Sequence, residues 1–580
     1  MKKIDDPPLI PLLVGAAMLT ACGPVGILDD DADDWKPAPG RTDRIEAVDL
    51  VSLSTTPPEA PDAAMEQMLA SDIPIREPEE IRPLGIARIR RAVLENNLDL
   101  RTELVSPLIS AAEFSGEQAK FESTFFAGYT RNDQGVATNL EQGDPTSSDE
   151  FLAGLRLPLA TGGALSIDTL ATRTDLGGTA GLLGPIEDWQ SNVRFSIAQP
   201  LLRNAGVDAN TASIRIAGWN RDLADARLKL AATRILADAD RAYWNLYAAW
   251  RELEVRKSQY ELAVNQLDRA RRRLDAGDAP EIDVVRAKSG VGRTLESIIR
   301  ADADLRRRQR TIKRIMNQED LPIGGPTGLR PSTEPNPLRI ELDGGELARQ
   351  AVANRMEMLE LELQLAVDAV TIDLRRNQAL PIFAFDYRYS IQGDDSGFGK
   401  AYAALGDSDS HRIGVSGEIP IGNQVRESRL TAAVLQRVQR LATRAARSIA
   451  IENEVFDALD RLTQSWQSII AARLETVLAT RTLEGEQRQF EVGLRTSTDV
   501  LDAQSRLADA QSREVRSLAD YQIALVDIAF ATGTLLGRAR VEFVEGEDAV
   551  EVQMVLPEAA PDEAEVADSR IVEPEGGNTP

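Results

Sequence analysis

Ala276-Gly277-Asp278-Ala279-Pro280-Glu281-Ile282-Asp283-Val284-Val285-Arg286-Ala287 recurs as Val492-Gly493-Leu494-Arg495-Thr496-Ser497-Thr498-Asp499-Val500-Leu501-Asp502-Ala503, each residue 216 positions further on. Glycine holds second place in both copies, and an Asp-Val pair lies six residues later. A second echo joins Asn96-Asn97-Leu98-Asp99-Leu100 to Asn354-Arg355-Met356-Glu357-Met358 at a spacing of 258, so the first copy is 42 residues longer between these points. Repetition fixes the unit of a fold before any single element does. Here each unit reads as helix, strands, long helix, turn, helix.

The first long helix is expected over about Val207 to Ala276. Leu246, Leu253, Tyr260, Leu267 and Leu274 stand seven apart, with Ala249, Ala263 and Ala270 three residues further on. Such a stripe is a coiled-coil seam, and its small partners let a neighbouring helix approach closely. Leu462, Ile469, Leu483 and Phe490 keep the stripe in the second copy, with Thr476 as the exception. Seventy residues at ~1.5 Å each make a rod of roughly 105 Å, more than a globular domain needs. Helices about half as long are expected at Leu84–Phe121 and Glu281–Met316, and they can stack end to end beside the long one.

The strands alternate. Trp189, Ser191, Val193, Phe195 and Ile197 oppose Gln190, Asn192, Arg194 and Ser196; Phe383, Phe385, Tyr387 and Tyr389 oppose Ala384, Asp386, Arg388 and Ser390; Ile413, Val415 and Ile419 oppose Arg412, Ser416 and Glu418. A sheet apolar on one face either packs on a core or forms a barrel wall with lipid outside and water inside. The helices already use their apolar stripes on one another, which leaves no obvious cover. Four strands are expected in the first copy, near 124–130, 151–159, 164–172 and 189–198, and two in the second, near 382–391 and 412–419. Thr161-Gly162-Gly163 reads as a hairpin turn that accounts for most of the extra length. Four to six strands cannot close a membrane barrel, for which ~8 is the usual minimum, and open edges are forbidden in lipid. The chain has to oligomerise.

Composition excludes several chemistries. Of 580 residues 27% are charged, yet there is one cysteine, Cys22, and one histidine, His411. No Cys/His zinc cluster or disulfide framework can be assembled within one subunit. The net charge of −26 resides in the ends: residues 23–80 carry 15 acidic and 4 basic side chains, and residues 541–580 carry 12 and 1. Both ends are proline-rich and read as disordered. The acidity argues against nucleic acid as a partner. A hydrolase using carboxylates such as Glu281 and Asp283 has no further support, because no phosphate loop or sugar-binding aromatic cluster accompanies them. His411 reads as a loop or interfacial residue.

Met1-Lys2-Lys3 followed by an apolar run from Leu9 to Ala21 reads as a signal peptide, too short to span a bilayer. Leu19-Thr20-Ala21-Cys22 resembles a bacterial lipobox, which implies acylation of Cys22 and a lipid anchor. Gly23, where Asp would favour inner-membrane retention, is compatible with the outer membrane. The chain then divides into signal peptide (1–21), acylated start and acidic linker (22–80), first repeat (81–330), second repeat (340–537) and acidic tail (538–580).

Together the lipobox, the junctions Gln199-Pro200-Leu201-Leu202-Arg203-Asn204-Ala205-Gly206 and Ile419-Pro420-Ile421-Gly422, the two Gly…Asp-Val turns and Ala242-Tyr243-Trp244-Asn245-Leu246 resemble the TolC-like outer-membrane efflux channels over about residues 84–537. The resemblance implies a mainly α-helical chain with a β-barrel part. Three copies would form one outer-membrane barrel continuous with a periplasmic coiled-coil tunnel of twelve long and stacked helices. It implies no enzyme and no cofactor, but a passive exit duct of a tripartite efflux or type I secretion-like system, a homotrimer working with a periplasmic adaptor and an inner-membrane transporter. The hairpin at Thr161-Gly162-Gly163 departs from that family's four-strand subunit.

By the same resemblance the tips Ala276-Gly277-Asp278 and Val492-Gly493-Leu494 dock the adaptor. Asp499 and Asp502 line a constriction ring in which mutual repulsion should raise some carboxyl pKa values and bind cations. Arg495 and Asp283 form the interhelical gate pair, with Phe490 where the family gate has tyrosine. Without the resemblance, the aspartates read as two solvated acids on a charged helix, and the glycines as turn residues. An envelope scaffold anchored by lipid and lacking a pore shares the lipobox and heptads. It does not account for the amphipathic strands or the duplication.

Overall fold

A computed structural model describes residues 78–134, 146–176, 186–544 and 553–555. Cys22, the segment 1–21, the linker up to residue 77 and the tail after 555 lie outside the described residues. The elements in chain order are β1 (Glu80–Leu84), α1 (Ile86–Asn96), α2 (Leu98–Gln118), β2 (Thr124–Gln134), β3 (Thr146–Pro158), β4 (Ala164–Leu176), β5 (Ile186–Pro200), α3 (Val207–Asn210), α4 (Ala212–Asp275), α5 (Glu281–Met316), β6 (Thr327–Pro331), α6 (Gly344–Asn354), α7 (Met356–Gln378), β7 (Ile382–Asp395), α8 (Phe398–Ala403), β8 (Ser408–Glu418), α9 (Gln424–Glu491), α10 (Ser497–Ala531), α11 (Leu535–Ala539), β9 (Glu542–Val544) and β10 (Gln553–Val555).

Neither long helix contains a proline, and both are rich in alanine, leucine and arginine, so nothing local interrupts them. Sixty-four and 68 residues give α4 and α9 lengths of about 96 and 102 Å. Their seams follow the heptads. Leu246, Ala249, Leu253, Ala263, Leu267 and Ala270 are buried on α4, as are Leu462, Ile469, Leu483 and Phe490 on α9. Thr476 is half-buried and returns its hydroxyl to the Ala472 carbonyl.

The first short helix does not run unbroken from Leu84 to Phe121. It breaks at Asn97, whose backbone is extended (φ −65°, ψ 125°) and whose side chain accepts the Leu100 N–H while donating to the Ile315 carbonyl. Arg355 (φ −72°, ψ 133°) breaks the second copy at the matching place. The Asn96–Leu100 and Asn354–Met358 echo therefore marks a helix interruption. Asn and Asp favour such positions because their short side chains satisfy the freed backbone groups; at Arg355 the guanidinium instead pairs with Glu357 and Glu454.

The helices lie abreast. On the sheet side of the breaks α2 packs on α4, α4 on α7 and α7 on α9; on the other side α5 packs on α4, α4 on α10 and α10 on α9. Near the breaks the core thickens. Leu94, Leu100, Leu228, Leu236 and Val526 form one cluster, and Met358, Ile451, Val455, Leu462, Tyr521 and Ile528 another. β1 pairs in parallel with β6 and so ties the start of the first copy to its end. Asp240 is fully buried and accepts two hydrogen bonds from Arg90, at 2.9 and 2.7 Å. The segment between the copies is held by Tyr243, which accepts the Thr333 N–H at 2.7 Å, and by Tyr521, which donates to the Leu338 carbonyl.

The six long strands form one antiparallel sheet in the order β2-β3-β4-β5-β7-β8. A short helix, α8, not anticipated from the sequence, bridges β7 and β8. The sequence boundary at residue 537 falls inside α11, and β9 pairs with β10 beyond it.

Candidate functional site: sheet faces and hairpin tips

The pairing register sorts the strand side chains into two faces. Phe125, Leu155, Ile167, Phe195, Tyr389 and His411 occupy one row across all six strands. The row beside it runs Phe126, Gly154, Asp168, Arg194, Ser390 and Ser410. The first face is apolar and largely exposed, including Phe125, Leu155, Ile167, Ile413 and Val415. The second is polar and internally paired: Arg194 lies 3.6 Å from Asp168, and hydroxyls meet between Ser166 and Ser196 and between Ser390 and Ser410.

Along β5 the apolar face extends from Trp189 to Ile197, about 20 Å of height at a tilt of ~40° and ~3.3 Å per residue. Toward the far ends of the strands it closes with aromatic rings in contact. Tyr129 meets Phe151 at 4.9 Å, and Trp189 meets Phe398 of α8 at 5.3 Å. Beyond them the same face turns charged, with Arg131 and Arg173 both beside Asp149. An apolar band bounded by aromatics and then charge is how a strand passes from hydrocarbon to water. His411 lies on this face at the sheet's edge, with Tyr387 Oη 3.0 Å from its Nδ1. No helix among the described residues is long and apolar enough to cross a membrane.

Among the described residues both edges of the sheet, β2 and β8, are unpaired. α2 leads into β2, and β8 leads into α9, so sheet and helical layer share their free edges. The edge helices also expose apolar side chains: Val105, Leu108 and Ile109 on α2, and Leu435, Val438, Leu441, Ile449, Phe456, Ile470, Leu474 and Val477 on α9. Leu435, Ile449, Phe456, Ile470 and Val477 keep a spacing of sevens, a second heptad stripe beside the buried seam.

At the other end the hairpins turn at Gly277 (φ 79°) and Gly493 (φ 78°), the left-handed backbone that glycine adopts without strain. Gly277 N–H donates to the Leu274 carbonyl and Asp278 N–H to Arg273; Gly493 and Leu494 repeat the pattern on Phe490 and Gln489. These are matching helix-terminating motifs. Ala276, Gly277, Asp278, Val492, Gly493 and Leu494 are all exposed, Val492 at 70% and Leu494 at 75%.

The expected constriction and gate residues lie just behind the tips. Asp499 is half-buried and closes a capping box: Thr496 N–H and hydroxyl both donate to its Oδ2 at 2.8 Å. Those bonds, the backbone one foremost, hold its carboxyl below the ordinary aspartate range, with help from Arg495. The local geometry thus opposes the upward shift expected for this residue from crowding. Asp502 is exposed one turn further on. Arg495 and Asp283 are not brought together within the subunit: Arg495 pairs with Glu486 at 3.1 Å and Gln489 at 3.0 Å, and Asp283 with Arg286 at 3.4 Å. Phe490 is buried in an apolar cluster with Leu483, Val500, Ala503 and Leu507, and Arg273 of the first hairpin stacks on its ring at 4.9 Å. That cation–π contact and the Gln266–Ser497 hydrogen bond join the two hairpins. Among the described residues no group of three His, Cys, Asp or Glu is placed to hold a metal.

A two-faced sheet continuous with paired helical rods is the fold of the TolC-like outer-membrane channels. The structure aligns with the outer-membrane channel CmeC of Campylobacter jejuni at a TM-score of 0.59 and 14% identity, covering 78% of this chain and 86% of that one. It aligns with the open state of MtrE from Neisseria gonorrhoeae at 0.57 and 15%, covering 78% and 89%. Residues 347–534 match the model of the outer membrane efflux protein family. In sequence the chain is 22% identical over 350 residues to the outer membrane protein TolC of Vibrio cholerae, covering 58% of this chain and 77% of that protein. It is 23% identical to the outer membrane efflux protein BepC of Brucella suis, spanning 63% of that relative's length. Residues 347–534 thus resemble the outer membrane efflux proteins, a family of channels and not of enzymes, and the chain shares the fold of the solved outer-membrane channels.

Proposed function

We propose that the protein is a homotrimeric channel-tunnel of the bacterial outer membrane, the passive exit duct of a tripartite efflux or type I secretion-like system. One observation carries this reading. Each copy is a ribbon of six strands and four abreast helices with matching free edges, and its sheet has one face suited to lipid and the other to water. Unpaired strand edges are intolerable in hydrocarbon, and copies that meet edge to edge remove them. The exposed stripe on α9 supports the same closure at the level of the helices.

In this reading residues 81–330 and 340–537 are two efflux repeats. The tips around Gly277 and Gly493 point into the periplasm and receive an adaptor, which connects the duct to an inner-membrane transporter. Asp502 and Asp499 from three copies ring the narrow end, with Asp502 the freer carboxylate. Cys22 carries the acyl chains that add a lipid anchor. Nucleic acid has no place in the assembly.

Purified full-length protein reconstituted in a planar lipid bilayer should conduct ions in discrete steps. A preparation that is monomeric in detergent and never conducts would leave the pore-free envelope scaffold as the better reading. Labelled palmitate should tag the wild type and not Cys22→Ala, and equal labelling of both refutes the anchor.

A further inference from the structure

We infer that all six long strands of each copy stand in the barrel wall, so that the trimer closes an eighteen-stranded barrel by pairing β8 of one copy with β2 of the next. This rests on the trimeric reading above and adds to it the edges, the strand number and the width of the opening.

The first support is continuity. β3 and β4 are not an appendage beside a four-strand wall: they pair over 11 to 13 residues with each other and with β2 and β5, and the apolar row from Phe125 to Phe195 passes through them at Leu155 and Ile167. Their turn is also built into the junction between sheet and helix. Gly206 N–H donates to the Thr161 carbonyl at 3.1 Å, and the Thr161 hydroxyl meets Gln199 Oε1 at 2.8 Å. At Gly162 (φ 89°) an added Cβ would lie 2.1 Å from the Asn204 carbonyl oxygen, so only glycine lets the turn seat there.

Second, the edges fit one another. β2 and β8 each have 11 residues, and they run in opposite directions. An even number of alternating strands per copy keeps every junction antiparallel around the ring. On the apolar face Phe125, Ala127 and Tyr129 of one edge would meet His411, Ile413 and Val415 of the other.

Third, the widths agree. Six strands ~4.8 Å apart and tilted ~40° occupy about 38 Å of arc. Four helices abreast at ~9 Å occupy about 36 Å. With all six strands in the wall the barrel is about 36 Å across and does not narrow where the helical tunnel enters it. Four strands per copy would give about 24 Å by the same arithmetic. The duct thus suits bulky cargo at its membrane end, and any selection by size falls to the hairpin tips.

The test uses full-length protein carrying Ala127→Cys together with His411→Cys, Ile413→Cys or Val415→Cys, oxidised in detergent and run on denaturing gels. In parallel, particle images are taken down the threefold axis. Expected are covalent dimers and trimers for at least one pair and a barrel about 36 Å wide. A conducting trimer with a barrel near 24 Å overturns the strand number while leaving the channel intact. A wide barrel that no pair cross-links overturns the β8–β2 junction. A monomer removes the trimeric reading and this inference with it.

Discussion

Replacing Leu435 and Val438 of α9 by aspartate should dissociate the trimer without unfolding the subunit. These side chains stand 60% and 56% exposed in the single chain, so little of their packing contributes to its own fold. Complete burial of a leucine or valine side chain is worth ~1.5–3 kcal/mol. A little over half of that remains to be gained at a contact between copies, about 1–2 kcal/mol for each. Two residues at each of three contacts make about 6–12 kcal/mol for the ring, and buried carboxylates without partners would add to the loss. The mass of the detergent complex, measured by light scattering, reads the result, and helical circular dichroism reports on the subunit. Gln436→Asp, on an exposed position one residue away, is the control. A double variant that stays trimeric and dissociates on heating like the wild type would falsify the assignment of this stripe to the contact between copies.

Other consequences follow from the buried and capping groups. Asp240→Ala leaves Arg90 without its partner in a buried site and should cost ~3–5 kcal/mol in chemical unfolding, whereas Arg90→Met with Asp240→Leu should recover most of it; equal midpoints for wild type and Asp240→Ala would show that the pair is not structural. Thr496→Ala should cost ~1 kcal/mol of capping, seen as faster amide exchange in the first turn of α10. Because the Asp499 carboxyl is held below its ordinary range, its support is fully present above the unfolded value of ~3.9 and is lost as pH falls through the lower folded value. Protection at the tip, corrected for intrinsic exchange, should therefore be flat from about pH 7 to 5 and decline only below about pH 4; a decline already near neutrality contradicts the capping role. Asp502→Ala alone should remove most of any block by multivalent cations and Asp499→Ala less, since Asp499 is engaged by Thr496; block that survives the double variant takes both residues out of the constriction.

The helices, the strand alternation and the turning glycines are legible in the sequence because each depends on local periodicity or backbone freedom. Glu281 to Met316 is such a case: Val284, Val291, Ile298, Leu305 and Ile312 keep a spacing of sevens that carries the helix through Gly290 and Gly292 to a left-handed Asn317 at its end. The break at Asn97 was hidden, since an asparagine within a polar helix does not reveal whether its side chain will accept from Leu100 or face water. The duplication held the missing clue, because Arg355 marks the same break in the second copy.

The site residues were less accessible to sequence for a different reason. Arg495, Asp283 and Asp499 are charged groups whose partners depend on rotamers and on neighbours far along the chain, and the structure gives each a partner on its own hairpin. The unclaimed stripe on α9 was open to reading in principle. Two interleaved heptads on one helix announce two partners, one within the subunit and one outside it.

The two hairpin ends share a backbone but differ in chemistry: Val492 and Leu494 present hydrocarbon to water, whereas Ala276 and Asp278 present a methyl group and a negative charge. If three chains close into a ring, its far rim carries six knobs of two alternating kinds. A collar of six identical proteins seated there must adopt two unequal footholds and so assemble as three pairs, while a threefold collar can ignore one set of knobs altogether.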